Sequence, residues 1–224
     1  MMQDIHRRVA VVTGASRGIG LAITETLLKR GYLVACIARG RKDLDLVREQ
    51  YDPSGERTMI LTCDVGDAEQ VQDSIDSVVS GWKRIDVLVN NAGVGFYGDV
   101  KDFPDEQWER THDTNLKGPF NCCRAVIPIM EKQLSGHIIF VSSSSDRGNS
   151  PYIASKRGLE GFATSLGYEL RDKGIQVSVI VPGEMDKSLF DSPGKADLSG
   201  GSKNWSAVPA LEVAKVVLET VERL

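Results

Sequence analysis

The sequence predicts an α/β fold, a doubly wound parallel β-sheet flanked by helices on both faces. Three observations predict it. Apolar, β-branched runs of strand length alternate with helix-spaced stretches along most of the 224 residues. The first run, Arg8-Val9-Ala10-Val11-Val12, leads directly into Thr13-Gly14-Ala15-Ser16-Arg17-Gly18-Ile19-Gly20, and a helical series (Ile19, Ala22, Ile23, Thr26, Leu27) continues to a stop at Gly31. Later strands end in small or polar residues, which right-handed crossovers would gather on one rim of the sheet.

The glycine turn comes first. Gly14 would permit the tight turn, Gly18 the approach of a diphosphate to the backbone, and Gly20 the close seating of the helix on the sheet. With Ser16, Arg17 and Ile19 they form a candidate cofactor cradle, facing the free N–H groups and positive end of the helix. An ordinary Gly-rich turn reads the same way until its context is added.

The length suits one domain, residues 1–224, with a sizeable core. A hydrophobic content of 41% and charged content of 26% suit a globular chain, and a net charge of −4 without a basic stripe gives no reason to expect a nucleic-acid partner. No apolar run approaches a membrane span and Met1-Met2-Gln3-Asp4 does not open a signal peptide. Cys36 and Cys63 lie in strand-like runs and read as core thiols, while adjacent Cys122-Cys123 lacks metal-site or redox spacing. No metal site is expected, and a reducing, cytoplasmic setting fits.

The second strand, Tyr32–Ala38, ends in Arg39-Gly40-Arg41-Lys42. An acidic residue at this strand end would hold the adenosine ribose hydroxyls. Ala38 and Arg39 stand there instead. A guanidinium suits a 2′-phosphate, and Arg17 could close on the same group, which favours NADP(H) over NAD(H); the bland alternative is that these cations begin a solvated helix. The third strand, Arg57–Cys63, runs into Asp64-Val65. Asp67 is expected to cap a helix through Val79, leaving Asp64 for an adenine amine. The fourth strand, Arg84–Asn90, is followed at once by Asn91, Ala92 and Gly93, small enough to pass a cofactor closely. Pro104–Gln133 reads as one long helix. Within it Pro119 deprives the Asn115 carbonyl of its usual partner, so a kink is expected, either for packing or to hold a water. The fifth strand, Gly136–Val141, ends in Ser142-Ser143-Ser144-Ser145, by itself a polar loop. Tyr152 and Lys156, four apart, share a face of the helix that continues to about Arg171. A sixth strand, Ile175–Val181, and a helix, Leu211–Glu222, complete the alternation.

Taken in this order, the motifs resemble the short-chain dehydrogenase/reductase family from about Arg8 to Gly183. The resemblance rests on Thr13-Gly14 with Gly18 and Gly20, Asp64-Val65, Asn90-Asn91-Ala92-Gly93, Asn115, the serine strand end, Tyr152 with Lys156, and Pro182-Gly183. It implies a Rossmann-type sheet, a nicotinamide cofactor and a catalytic set of Asn115, Ser143, Tyr152 and Lys156. Tyr152 and Lys156 would also meet the cofactor, as would Pro182, Gly183 and Met185. The implied reaction is an NADP-dependent reduction of a ketone or 3-oxoacyl carbonyl to a secondary alcohol, or its reverse. Tyr152 would supply the proton. Lys156 would bring the phenol, normally near pKa 10, toward the working range, and Ser143 would donate to the substrate oxygen. Asn115 would hold a water linking Lys156 to solvent.

Three departures qualify the resemblance. The loop from Ser143 to Tyr152 is short, which leaves the choice among the four serines open; counting along the strand selects Ser143. Lys187 stands where the family carries a threonine, with Ser188 a possible substitute. The strand that usually follows the last helix is missing, so a homodimer is expected rather than a tetramer. Residues 184–207, rich in Gly, Ser, Asp and Lys, would form a lid over the substrate or a surface loop. The competing reading is an NADP-binding regulatory or interaction protein without useful turnover. Binding alone would not demand the Asn/Ser/Tyr/Lys set.

Overall fold

The computed structural model describes residues 7–144, 150–183 and 210–222. Six parallel strands form one sheet, β1 (Val9–Thr13), β2 (Leu33–Ala38), β3 (Thr58–Thr62), β4 (Val87–Asn90), β5 (Gly136–Val141) and β6 (Ile175–Ile180), in the order β3-β2-β1-β4-β5-β6. The order reverses between β1 and β4, and the crevice outside their carboxyl ends is where such sheets bind ligands.

Alternation along β1 explains the two layers. Val9 and Val11 face one side, with α3 (Ala68–Trp82), α5 (Gly118–Gln133) and α6 (Ser150–Leu170). Ala10 and Val12 face the other, with α1 (Gly18–Lys29), α2 (Arg41–Tyr51) and α7 (Ala210–Glu222). The central strands β1, β4 and β5 therefore read as largely apolar runs, because both of their faces are covered, while the edge strands β3 and β6 are partly exposed. The fold is the expected Rossmann-type α/β sheet.

Asp67 caps α3 as expected, accepting from the Glu69 and Gln70 amides. β4 begins later than its sequence suggests. The Asp86 backbone still bonds the Val9 carbonyl and the His137 amide, but its carboxylate takes the Val9 N–H (2.7 Å) and pairs with Arg84, while the Gln133 side chain binds the Ile85 backbone.

The expected long helix over 104–133 is three pieces. α4 (Asp105–His112) is followed by a π turn at Asp113–Lys117, in which the Gly118 N–H reaches back five residues to the Asp113 carbonyl, and then by α5. Pro119 sits in the first turn of α5, where a missing N–H is tolerated. Its sequence effect is a change of helix type rather than a simple bend.

At the amino end of β5, His137 is 1% exposed; its Nε2 meets Ser178 Oγ at 2.8 Å and its Nδ1 is without a partner among the described residues. Burial lowers its pKa from 6.5 to about 4. Between those values the unfolded chain binds a proton that the folded chain refuses, so stability falls as pH drops from about 6.5 toward 4. Urea midpoints at pH 7 and pH 5 should differ more for the wild type than for His137→Leu. An equal difference in the two proteins would remove His137 as the cause.

Candidate active site

The cradle forms where β1 turns into α1. Gly14 and Gly18 adopt φ of 66° and 56°, conformations that L side chains resist. Arg17 stands extended at the head of α1 and its side chain makes no cap, which leaves the first-turn amides for an anion. A Cβ on Gly20 would run into the Gly14 carbonyl and lie 2.5 Å from Asn91 Nδ2.

A polar latch ties this turn to the loop after β4. Thr13 Oγ1 donates to the Val89 carbonyl (3.2 Å) and accepts from the Asn91 and Ala92 amides (3.0 Å each). Asn91 Nδ2 in turn donates to the Thr13 carbonyl at 2.9 Å. The Asn91 carboxamide thus shapes the cradle from behind.

A cleft of about 570 Å³ opens over these loops, a size suited to a nucleotide cofactor. It is lined by Gly14, Ser16, Arg17, Gly18, Ile19, Arg39, Asp64, Val65, Asn91, Ala92, Gly93, Ser143, Tyr152, Lys156 and Pro182. Gly20 and Asn115 support the wall from behind it, and Gly183 does not line it. Met185, Lys187, Ser188, Ser145 and the expected lid at 184–207, Trp205 included, lie outside the described residues.

At one end, Arg17 and Arg39 line the cleft, and neither side chain has an ion-pair partner among the described residues. Arg41 does not join them, because its Nε binds the Asp45 carboxylate at 3.0 Å. Asp64 is less free than expected: its Oδ1 accepts the Gly66 N–H at 3.0 Å, which closes the turn. Val65 is fixed through its carbonyl by Asn121 Nδ2 of α5 (3.0 Å).

The opposite end gathers Ser143, Tyr152 and Lys156. Ser143 hydrogen-bonds Tyr152, whereas Ser142 turns away and donates to Glu160 Oε1 at 2.6 Å. Both serines line the cleft, but their hydroxyls have different partners. Lys156 Nζ donates to the Val141 carbonyl (2.8 Å) and lies 5.8 Å from the Tyr152 ring centroid. Burial lowers Lys156 to about 8, with the Glu160 carboxylate opposing that shift. Lys156 is not among the groups that shift the phenol in the protein alone. Burial raises Tyr152, with the Ser143 hydrogen bond pulling the other way, so the phenol stays protonated at neutral pH.

Asn115 is fully buried beneath this group. Its Oδ1 accepts the Val94 N–H and its Nδ2 donates to the Val94 carbonyl, both at 2.8 Å, and to Ser155 Oγ at 2.9 Å. Ser155 Oγ donates to the Tyr152 carbonyl at 2.6 Å. One amide side chain therefore couples the loop after β4 to the helix carrying Tyr152.

Sequence reasoning missed Asp43, Tyr97 and Thr114, which also line the cleft. Thr114 could have been found as the neighbour of Asn115, and Tyr97 as the first tyrosine after the Asn91-Ala92-Gly93 turn. Asp43 gave no signal beyond its place in a charged helix start.

Comparison with known proteins decides the family. The family profile described as short chain dehydrogenase matches residues 8–196. The chain belongs to the short-chain dehydrogenase/reductase family. It is 38% identical over 188 residues to the 3-oxoacyl-(acyl-carrier-protein) reductase FabG of Staphylococcus aureus strain Mu50, covering 82% of this chain and 76% of that one. A metagenomic short-chain oxidoreductase in complex with NADP superposes with a TM-score of 0.81 at 33% identity, over 96% of this chain and 90% of that one. Actinorhodin polyketide ketoreductase with NADPH, a tryptophan variant from its crystal structure, gives 0.85 at 30% identity over the same shares. This short-chain dehydrogenase/reductase is accordingly an oxidoreductase.

Proposed function

We propose that the protein is an NADP(H)-dependent reductase of ketone or 3-oxoacyl carbonyls, working in either direction, with Tyr152 as general acid and base. The observation that carries this reading is one cleft with Ser143, Tyr152 and Lys156 at one end and, at the other, two arginines without an ion-pair partner among the described residues. The residues fit the cofactor: uncapped amides at the head of α1 suit a diphosphate, and Arg17 and Arg39 suit a 2′-phosphate. The NADP-bound and NADPH-bound relatives support the same cofactor, and the likeness to a 3-oxoacyl-(acyl-carrier-protein) reductase supports the carbonyl substrate.

When bound, NADPH supplies the hydride that goes to the carbonyl carbon. Tyr152, kept protonated by burial, gives its proton to the carbonyl oxygen. Ser143 donates to that oxygen as negative charge develops on it. Lys156, still largely cationic at pH 7 with a pKa of about 8, stabilises the phenolate left behind. Asn115 holds Val94 and the Tyr152 turn in register, so that the proton donor is placed before substrate arrives.

The test is NADPH consumption against ketones, aldehydes and 3-oxoacyl thioesters, with NADH in parallel. Turnover faster with NADPH and highest on one carbonyl class supports the reading. NADPH binding without turnover across the panel would favour a binding protein.

A further inference from the structure

The adenosine end of the cleft carries a charge that the NADP reading does not use. Asp43, in the first turn of α2, lines the cleft beside Arg17, Arg39 and Gly40. Its carboxylate lies over the Gly40 backbone: a Cβ added at Gly40 would sit 3.0 Å from Asp43 Oδ2. No side chain or backbone donor among the described residues binds it, and Gly40 offers no side-chain cap to α2. A helix start alone explains an acidic residue here, since it meets the positive end of the dipole. It does not explain why the neighbouring Arg41 is paired with Asp45 while Asp43 and Arg39, both lining the cleft, have no ion-pair partner among the described residues.

Resting on the NADP reading, we propose that Asp43 sets the choice between the two nicotinamide cofactors. Its carboxylate accepts hydroxyls of an unphosphorylated adenosine ribose and repels a 2′-phosphate that Arg17 and Arg39 attract. Ala38 leaves the strand end without an acid, and Asp43, reaching back across a side-chain-free Gly40, takes that place from the helix. The cleft then holds both NADP(H) and NAD(H), with the cations tilting it toward the first. Two unlike requirements at one site make discrimination a difference between attraction and repulsion.

Calorimetric titration of the full chain with 2′,5′-ADP, 5′-AMP, NADP+ and NAD+ tests this, using wild type, Asp43→Asn and Arg39→Ala. These ligands read binding without turnover. Asp43→Asn should tighten 2′,5′-ADP about fivefold and weaken NAD+ about threefold, as expected for an exposed charge at short range. The tightening should shrink in high salt. Arg39→Ala should loosen 2′,5′-ADP about tenfold. If Arg39→Ala loosens 2′,5′-ADP and Asp43→Asn changes only the melting temperature, Asp43 is a helix-start charge and the proposal is overturned. If wild type binds 2′,5′-ADP no tighter than 5′-AMP and Arg39→Ala alters nothing, the NADP reading fails and takes this one with it.

Discussion

Tyr152→Phe should abolish turnover while leaving the cleft able to bind its cofactor. The ring is 8% exposed and Phe fills the same volume, so the packing of α6 against the sheet is kept. Lys156 retains its bond to the Val141 carbonyl, which does not involve the phenol. What disappears is the hydroxyl that meets Ser143 and would protonate the carbonyl oxygen. Loss of a positioned general acid lowers turnover by about a hundred- to ten-thousand-fold. Steady-state rates with NADPH, set beside calorimetric binding of NADP+, separate the two effects. A variant within tenfold of wild-type turnover would remove Tyr152 from the chemistry.

Gly20→Ala should strongly destabilise the protein and its cofactor cradle. The new Cβ would meet the Gly14 carbonyl carbon at 2.8 Å and Asn91 Nδ2 at 2.5 Å. Neither can yield cheaply: Gly14 is held at a φ of 66°, and Asn91 is fixed to the Thr13 carbonyl and through its own amide to Thr13 Oγ1. Backbone overpacking of this kind costs about 3 kcal/mol, which for a chain of this size lowers the melting temperature by about 6–12 °C. The same displacement opens the cradle, and cofactor affinity should fall about tenfold or more. Gly161→Ala provides the control. It lies on α6 with nothing within 4 Å of its added Cβ, so helix propensity alone acts and stability should rise by up to about 1 kcal/mol. Thermal melts of the two variants moving in the same direction would contradict this account.

Much of the fold was legible because both faces of the central strands β1, β4 and β5 are covered. Such strands are apolar throughout, and β5 begins and ends where its run does. The glycine turn and the Tyr152/Lys156 pair were legible for a different reason: each depends on local spacing. Contacts made at a distance were not. The Asn115 carboxamide finds Val94 across 21 residues and Ser155 across 40, and no periodicity marks those partners. The bond from Ser142 to Glu160, one helix away, was likewise unmarked, although counting along the strand had selected Ser143. Asp43 was hidden by its resemblance to an ordinary helix-start acid. The break in the long helix was half visible, since Pro119 announced an irregularity but not its kind.

The π turn at Asp113–Lys117 has a consequence for how this region tolerates change in length. Five residues occupy the space of about one turn, which amounts to a single inserted residue absorbed without a loop. That surplus lets consecutive residues serve two sides at once, Thr114 on the cleft wall and Asn115 against Val94 and Ser155. Deleting one residue between His112 and Gly118 would restore a regular spiral and leave α4 close to its present phase relative to α5. The loss would fall instead on the residues inside the turn, because four positions could no longer present both Thr114 to the cleft and Asn115 to Val94 and Ser155.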